Sequence, residues 1–115
     1  METGADLRDR DATFHGVQNV AIWGGVFDVL VISKASRATL RGVTAQRVEF
    51  RDVDAVDWED GVIGDPAGPR SRIILAGCPT GSIKSLYGHF GIYRENESGG
   101  LVLTAKQQDF QWGTQ

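Results

Sequence analysis

From Ala38 to Asp60 the chain reads ATLRGVTAQRVEFRDVDAVDWED, and its apolar residues fall into fives. Small or β-branched residues stand at Ala38, Val43, Val48 and Val53. A second apolar set follows two residues later, at Leu40, Ala45, Phe50 and Ala55. Two inward positions with one outward position between them is the period of a pleated strand. A turn after each such unit would bring the chain back over itself. The pattern therefore predicts extended chain that climbs as a coil, with Leu40, Val43, Val48, Phe50 and Val53 pointing inward.

Weaker echoes of the same phrase precede it. Ala12-Thr13-Phe14-His15-Gly16-Val17 resembles Ala38-Thr39-Leu40-Arg41-Gly42-Val43, and Val20-Ala21-Ile22-Trp23-Gly24-Gly25 has the same outline. Their starts lie 8 and 18 residues apart, so the sequence shows an internal repeat without a regular period. The apolar run from Val26 to Ser33 reads as a buried strand. A helix capped at Asp28 and stopped at Gly42 is disfavoured by Val29, Val31 and Ile32 and by the interrupting Ser33, Ser36 and Thr39.

One domain of 115 residues is expected, divided by composition. Residues 1–11 read as a polar arm, 12–60 as solenoid-like repeats, 61–71 as a loop rich in Gly and Pro, and 72–115 as a region containing a β-hairpin. In that last region Arg72–Ala76 reads as a short strand. Ile83–Arg94 alternates, with Leu86, Phe90 and Ile92 inward and Tyr87, His89 and Tyr93 outward. Glu95–Gly100 is a polar loop before the apolar Leu101–Ala105, which is a hairpin signature. Gln107–Trp112 reads as a closing strand. The fold class is all-β: a short parallel β-solenoid-like first half and a hairpin-containing second half, with a small antiparallel barrel or sandwich as the alternative.

The fives resemble the pentapeptide-repeat family, in which a small or β-branched residue precedes a central Leu or Phe by two. Leu40 and Phe50 match that centre, and Ala5–Asp9 resembles another unit. The phrases ATLRGV and NVAIWGG are equally similar to coils of pectin-lyase-type right-handed β-helices. Over residues 5–60 the resemblance implies a parallel β-solenoid with a narrow stacked core. It implies little about activity: pentapeptide proteins are mostly non-enzymatic, and large β-helices are often carbohydrate-active or parts of viral tailspikes.

Charge excludes some partners. Up to Asp60 the chain carries seven Lys and Arg against eleven Asp and Glu, and beyond it five against four. An acidic first half does not suit a phosphate backbone, so direct nucleic-acid binding is not expected. No apolar run approaches the roughly 18 residues that span a bilayer. A single cysteine, Cys78, implies no internal disulfide. With a polar, acidic start in place of a secretory leader, the expected setting is cytoplasmic or virion-associated.

Candidate chemistry is sparse. Asp52, Asp54, Asp57, Glu59 and Asp60 cluster before Gly61, but Val56 and Ile63 stand where a calcium loop needs oxygens, so the reading is a solvated acidic edge. Cys78, between Gly77 and Pro79, has no basic neighbour to activate it. His15 has no second ligand near it, and no metal or cofactor is expected. Tyr87, His89, Tyr93 and Arg94 are the candidate binding residues, as a polar-aromatic face near a strand end. Trp23, Trp58 and Trp112 read as core or interface anchors. No catalytic set converges.

The function expected from the sequence is a non-catalytic structural or interaction module, part of a homo-oligomer or a larger, virion-like assembly. At least one of the three tryptophans should lie between chains. The alternative is a small β-barrel protein that binds or converts a small molecule.

Overall fold

In the computed structural model the described residues are 11–64, 71–95, 100–105 and 109–113. They form strands β1 (Asp11–His15), β2 (Asn19–Trp23), β3 (Val26–Arg41), β4 (Thr44–Glu59), β5 (Val62–Ile63), β6 (Ser71–Ala76), β7 (Thr80–Lys84), β8 (Tyr87–Gly88), β9 (Phe90–Glu95), β10 (Leu101–Ala105) and β11 (Phe110–Trp112). No helix occurs among the described residues, and none is therefore long and apolar enough to cross a membrane.

Strands β3 and β4 have 16 residues each. Straight, each would run about 53 Å at roughly 3.3 Å per residue. The largest extent of the molecule is 37 Å. These strands therefore bend around a coil, and about four turns stack into a parallel β-solenoid. Three ladders result. The first face holds β1, residues 29–33, residues 47–51, β6 and β9. The second holds β2, residues 37–41, residues 55–59 and β7. The third holds residues 26–27, residues 44–45, β5 and β8.

Register is constant over the first three turns. Asp11 stands over Val29 and Val29 over Arg47, an offset of 18 residues. Between β4 and β6 it lengthens, with Val48 over Ile73. The two echo spacings in the sequence now have distinct meanings. The step of 8 leads from the first face to the second within a turn, and the step of 18 leads to the turn above.

Two corners are set by backbone conformation rather than by residue type. Gly16, Lys34, Asp52 and Gly77 all lie in the left-handed region, with φ of 74°, 56°, 56° and 67°, between the first and second faces. Gly24, Gly42, Asp60 and Ser85 do the same between the second and third, at 75°, 66°, 58° and 53°. Glycine adopts this region without strain, and aspartate tolerates it better than lysine or serine. Each corner is tied to the next turn. The Gly16 amide donates to the Ser33 carbonyl at 3.0 Å, Gly24 to Arg41 at 2.8 Å, Gly42 to Glu59 at 3.0 Å and Asp60 to Lys84 at 3.1 Å. Successive turns are therefore hydrogen-bonded at the corners as well as along the faces.

The interior is a stack of apolar columns. Phe14, Ile32, Phe50 and Leu75 form one; Ile22, Leu40, Trp58 and Ile83 form another. Inward positions in one turn are Phe27, Leu30, Ile32, Ala35, Ala38, Leu40 and Val43, spaced by twos and threes. Fives arise wherever a two adjoins a three, so Ala38 to Val53 shows them without any turn every five residues. The pattern breaks after Val53, where two threes adjoin. Ala55, expected to point inward, is on the outside and half-buried, and Val56 takes its place in the core. The remaining inward assignments, Leu40, Val43, Val48, Phe50 and Val53, are all buried completely.

Parallel pairing continues past Asp60 as far as β9, and antiparallel bonds enter only at the end: β10 pairs with β9, and β11 with β7. The hairpin expected around Glu95–Leu101 is therefore present, and the closing strand is β11. The segment Ile83–Arg94, expected as one alternating strand, is divided among β7, β8 and β9 on three different faces. Leu86, Phe90 and Ile92 are buried and Tyr87 and His89 exposed, as expected, but on the outward parity Gly91 is buried and Tyr93 half-buried. The antiparallel barrel or sandwich does not occur, because an 18-residue parallel register is incompatible with either. Residues 1–10 of the polar arm, 65–70 of the Gly/Pro loop, 96–99 of the hairpin loop and 107–108 at the start of the expected closing strand lie outside the described residues.

The column of Phe14, Ile32, Phe50 and Leu75 continues to Arg94, the register partner of Leu75, and β10 sets Val102 opposite Arg94. Arg94 is half-buried. Trp112 closes the neighbouring stack, buried over Gly81, where a Cβ would collide with the indole ring. Its Nε1 donates to the Cys78 carbonyl at 2.9 Å.

Candidate interaction site

Among the described residues the exposed large hydrophobic side chains are Trp23, Val26, Val62 and Tyr87. They gather at one corner. Val26, Thr44, Val62 and Tyr87 are register partners and form one outward column on the third face. Trp23, 61% exposed, ends β2 on the second face, across Gly24 and Gly25 from Val26. Gly24 and Gly25 both have positive φ, which lets the chain turn sharply enough to put Trp23 and Val26 on either side of the bend.

Trp23 heads a second column. Its register partner is Arg41, followed by Glu59 and then Lys84. Arg41 is the best-held of the column's three charges. Its two terminal nitrogens donate to both carboxylate oxygens of Asp57, at 3.2 and 2.9 Å, and its Nε lies 3.6 Å from Glu59. The fork geometry fits a planar carboxylate, and the hydrogen bond to Asp57 raises the Arg41 pKa against a smaller desolvation effect. Both side chains are about one-third exposed, so the pair orders the face more than it stabilises the fold. At the far end of this column lies a depression of about 520 Å³, bordered by Glu59, Lys84, Ser85, Asp109, Phe110 and Gln111. Phe110 is half-buried there and stacks on Trp112 with ring centroids 5.5 Å apart.

The residues singled out for binding are not all brought together. Tyr87 is exposed on the third face, and His89 is exposed just beyond it, at the bend into β9. The His89 backbone is engaged, its amide donating to Ile63 and its carbonyl accepting from Ser71. Tyr93 stands on the first face, with the Arg72 guanidinium 5.1 Å above its ring. Arg94 continues the interior column described above. The four thus lie on the third face (Tyr87), at the bend after it (His89) and on β9 of the first face (Tyr93 and Arg94).

The acidic cluster is likewise spread out. Asp52 sits at a corner, Asp57 and Glu59 face Arg41, and Asp60 sits at the other corner. Among the described residues no three His, Cys, Asp or Glu side chains are grouped to hold a metal ion. His15 Nδ1 is 2.7 Å from the Ser33 hydroxyl on an exposed face. Cys78 is buried, its thiol donating to the Phe50 carbonyl at 3.3 Å. Burial pushes its pKa up, so it carries no thiolate at neutral pH.

Of the three tryptophans, Trp58 is fully buried and Trp112 nearly so, which leaves Trp23 as the exposed one. Sequence reasoning did not find the two outward columns beside it. The signal was present in the 18-residue step from Val20 to Ala38, which aligns Trp23 with Arg41 and, applied again, with Glu59. No family model, curated protein or solved structure matches the chain.

Proposed function

We propose that the protein is a non-catalytic structural or interaction module that works as a homo-oligomer or within a larger assembly. One observation carries this reading: the exposed large hydrophobic side chains of the described residues gather at a single corner, with Trp23 at its edge. Exposed hydrophobes scattered singly need no explanation. Three on one column, Val26, Val62 and Tyr87 with Thr44 between the first two, and Trp23 across the bend from Val26, favour an interaction surface. The solenoid supports the reading by holding these side chains in register on backbone that is hydrogen-bonded turn to turn. Of the two families the sequence resembles, right-handed β-helix proteins suit an 18-residue, three-faced turn better than pentapeptide repeats, because the corners do not recur every five residues.

The test is the solution mass. Light scattering behind size exclusion should give a dimer or larger species. A monomer at every concentration up to the solubility limit overturns self-association, and the reading then survives only if a partner protein covers Trp23.

A further inference from the structure

The second face carries a charge order that selects how two copies would meet. Its outward positions on the parallel rungs, turn by turn, are Asn19, Ala21, Trp23; Arg37, Thr39, Arg41; Ala55, Asp57, Glu59; and Thr80, Ser82, Lys84, with β11 at the edge setting Gln111 beside Ser82. Two identical faces can pack about a twofold axis in only two simple ways. With the axis along the solenoid, turns meet their own equivalents and the columns are exchanged. Arg41 then opposes Arg37 and Asp57 opposes itself, which costs free energy in both places. With the axis across the solenoid, columns are kept and turns are reversed. Arg41 then opposes Glu59, Thr39 opposes Asp57, Arg37 opposes Ala55, and no like charges meet.

Shape points the same way. Reversing the Trp23–Arg41–Glu59–Lys84 column sets Trp23 of one copy against Lys84 of the other. That is where the depression of about 520 Å³ opens, with Phe110 on its wall. The most exposed indole and the opening that could receive it lie at opposite ends of one column, three strand spacings or about 14 Å apart. A lysine ammonium beside an indole adds a favourable cation–π contact. The contact is isologous, so each copy donates one tryptophan and receives one.

Resting on the homo-oligomer reading above, we propose that the second faces of two copies pack antiparallel about a twofold axis, with Trp23 of each seated beside Lys84 and Phe110 of the other and Arg41 paired with Glu59 across the interface.

The experiment is sedimentation equilibrium on the full chain and on Trp23→Ala, Lys84→Glu, Arg41→Glu and Glu59→Arg, with far-ultraviolet circular dichroism as the check on folding. A dimer is expected for the wild type. Trp23→Ala should weaken it by about thirtyfold or more, the scale of a buried aromatic anchor. Arg41→Glu and Glu59→Arg should each be monomeric alone, because each opposes like charges twice, and an equimolar mixture of the two should form a heterodimer. Lys84→Glu gives a second reading should Trp23→Ala fail to fold. Acrylamide quenching should show Trp23 shielded in the dimer and open in the Arg41→Glu monomer.

A wild type that stays monomeric defeats both the homo-oligomer reading and this arrangement. An oligomer that none of the four substitutions weakens keeps the homo-oligomer reading and overturns this interface. A mixture of the charge variants that remains monomeric, or an open-ended assembly that Trp23→Ala disperses, overturns the antiparallel twofold.

Discussion

Lys34 and Asp52 hold the same left-handed backbone conformation, φ 56° in each, one turn apart in the solenoid. The positions above and below them are Gly16 and Gly77. The corner therefore requires the conformation and does not depend on which side chain carries it. An L-residue there is strained by roughly 1–2 kcal/mol, partly offset by the loss of chain entropy that glycine would add. Lys34 is exposed, so its side chain contributes little packing. Lys34→Gly should stabilise the protein by about 0.5–1 kcal/mol in urea denaturation, and Lys34→Val should destabilise it by about 1–2 kcal/mol.

Phe50 is fully buried and meets Trp58 edge-on, with ring centroids 6.5 Å apart. Phe50→Ala should cost about 3–5 kcal/mol. Arg51, its outward neighbour, is exposed and paired with Glu49 at 3.0 Å, so Arg51→Ala should stay within about half a kcal/mol. Equal effects from the two, measured by chemical denaturation, would contradict the inward and outward assignments.

Cys78 gives a pH dependence with a definite sign. Burial raises its folded pKa above the ordinary value of 9.0. Above that value the unfolded thiol releases its proton while the folded one keeps it, so stability falls as pH rises from about 9 towards the folded pKa. Below that range the group has no effect on the slope. Cys78→Ala should show a shallower alkaline loss of stability, and the native thiol should react with a disulfide reagent far more slowly than the unfolded chain.

His89 contributes to the fold through its backbone. Because Ile63 and Ser71 bond only its amide and carbonyl, His89→Ala should change stability by no more than a few tenths of a kcal/mol. Unfolding of this variant in a thermal melt would show that the imidazole has a structural role.

The all-β class and the climbing coil were legible because Leu40, Val43, Val48, Phe50 and Val53 alternate wherever the chain is extended. Turn length was not, because the residues that set it do not share a type: Lys34, Asp52, Asp60 and Ser85 bend the chain as glycine does elsewhere. The division of Ile83–Arg94 among three faces was hidden for the same reason, since Ser85 carries no turn signature of its own. The sequence did not separate Trp23, which is exposed, from Trp58 and Trp112, which are buried. The partners of Trp23, which are Arg41, Glu59 and Lys84, are distant in sequence, and only the register makes them one column.

The step from 18 to 25 residues between β4 and β6 has a consequence for assembly of the chain. Each turn closes a loop on the turn before it, and the entropy of closure grows only with the logarithm of loop length. A turn lengthened by seven residues costs about 0.3 kcal/mol more to close than its neighbours. Winding can therefore pass through the long turn with almost no added barrier, and a solenoid of this kind can accept an insertion at one corner while every rung on either side keeps its place.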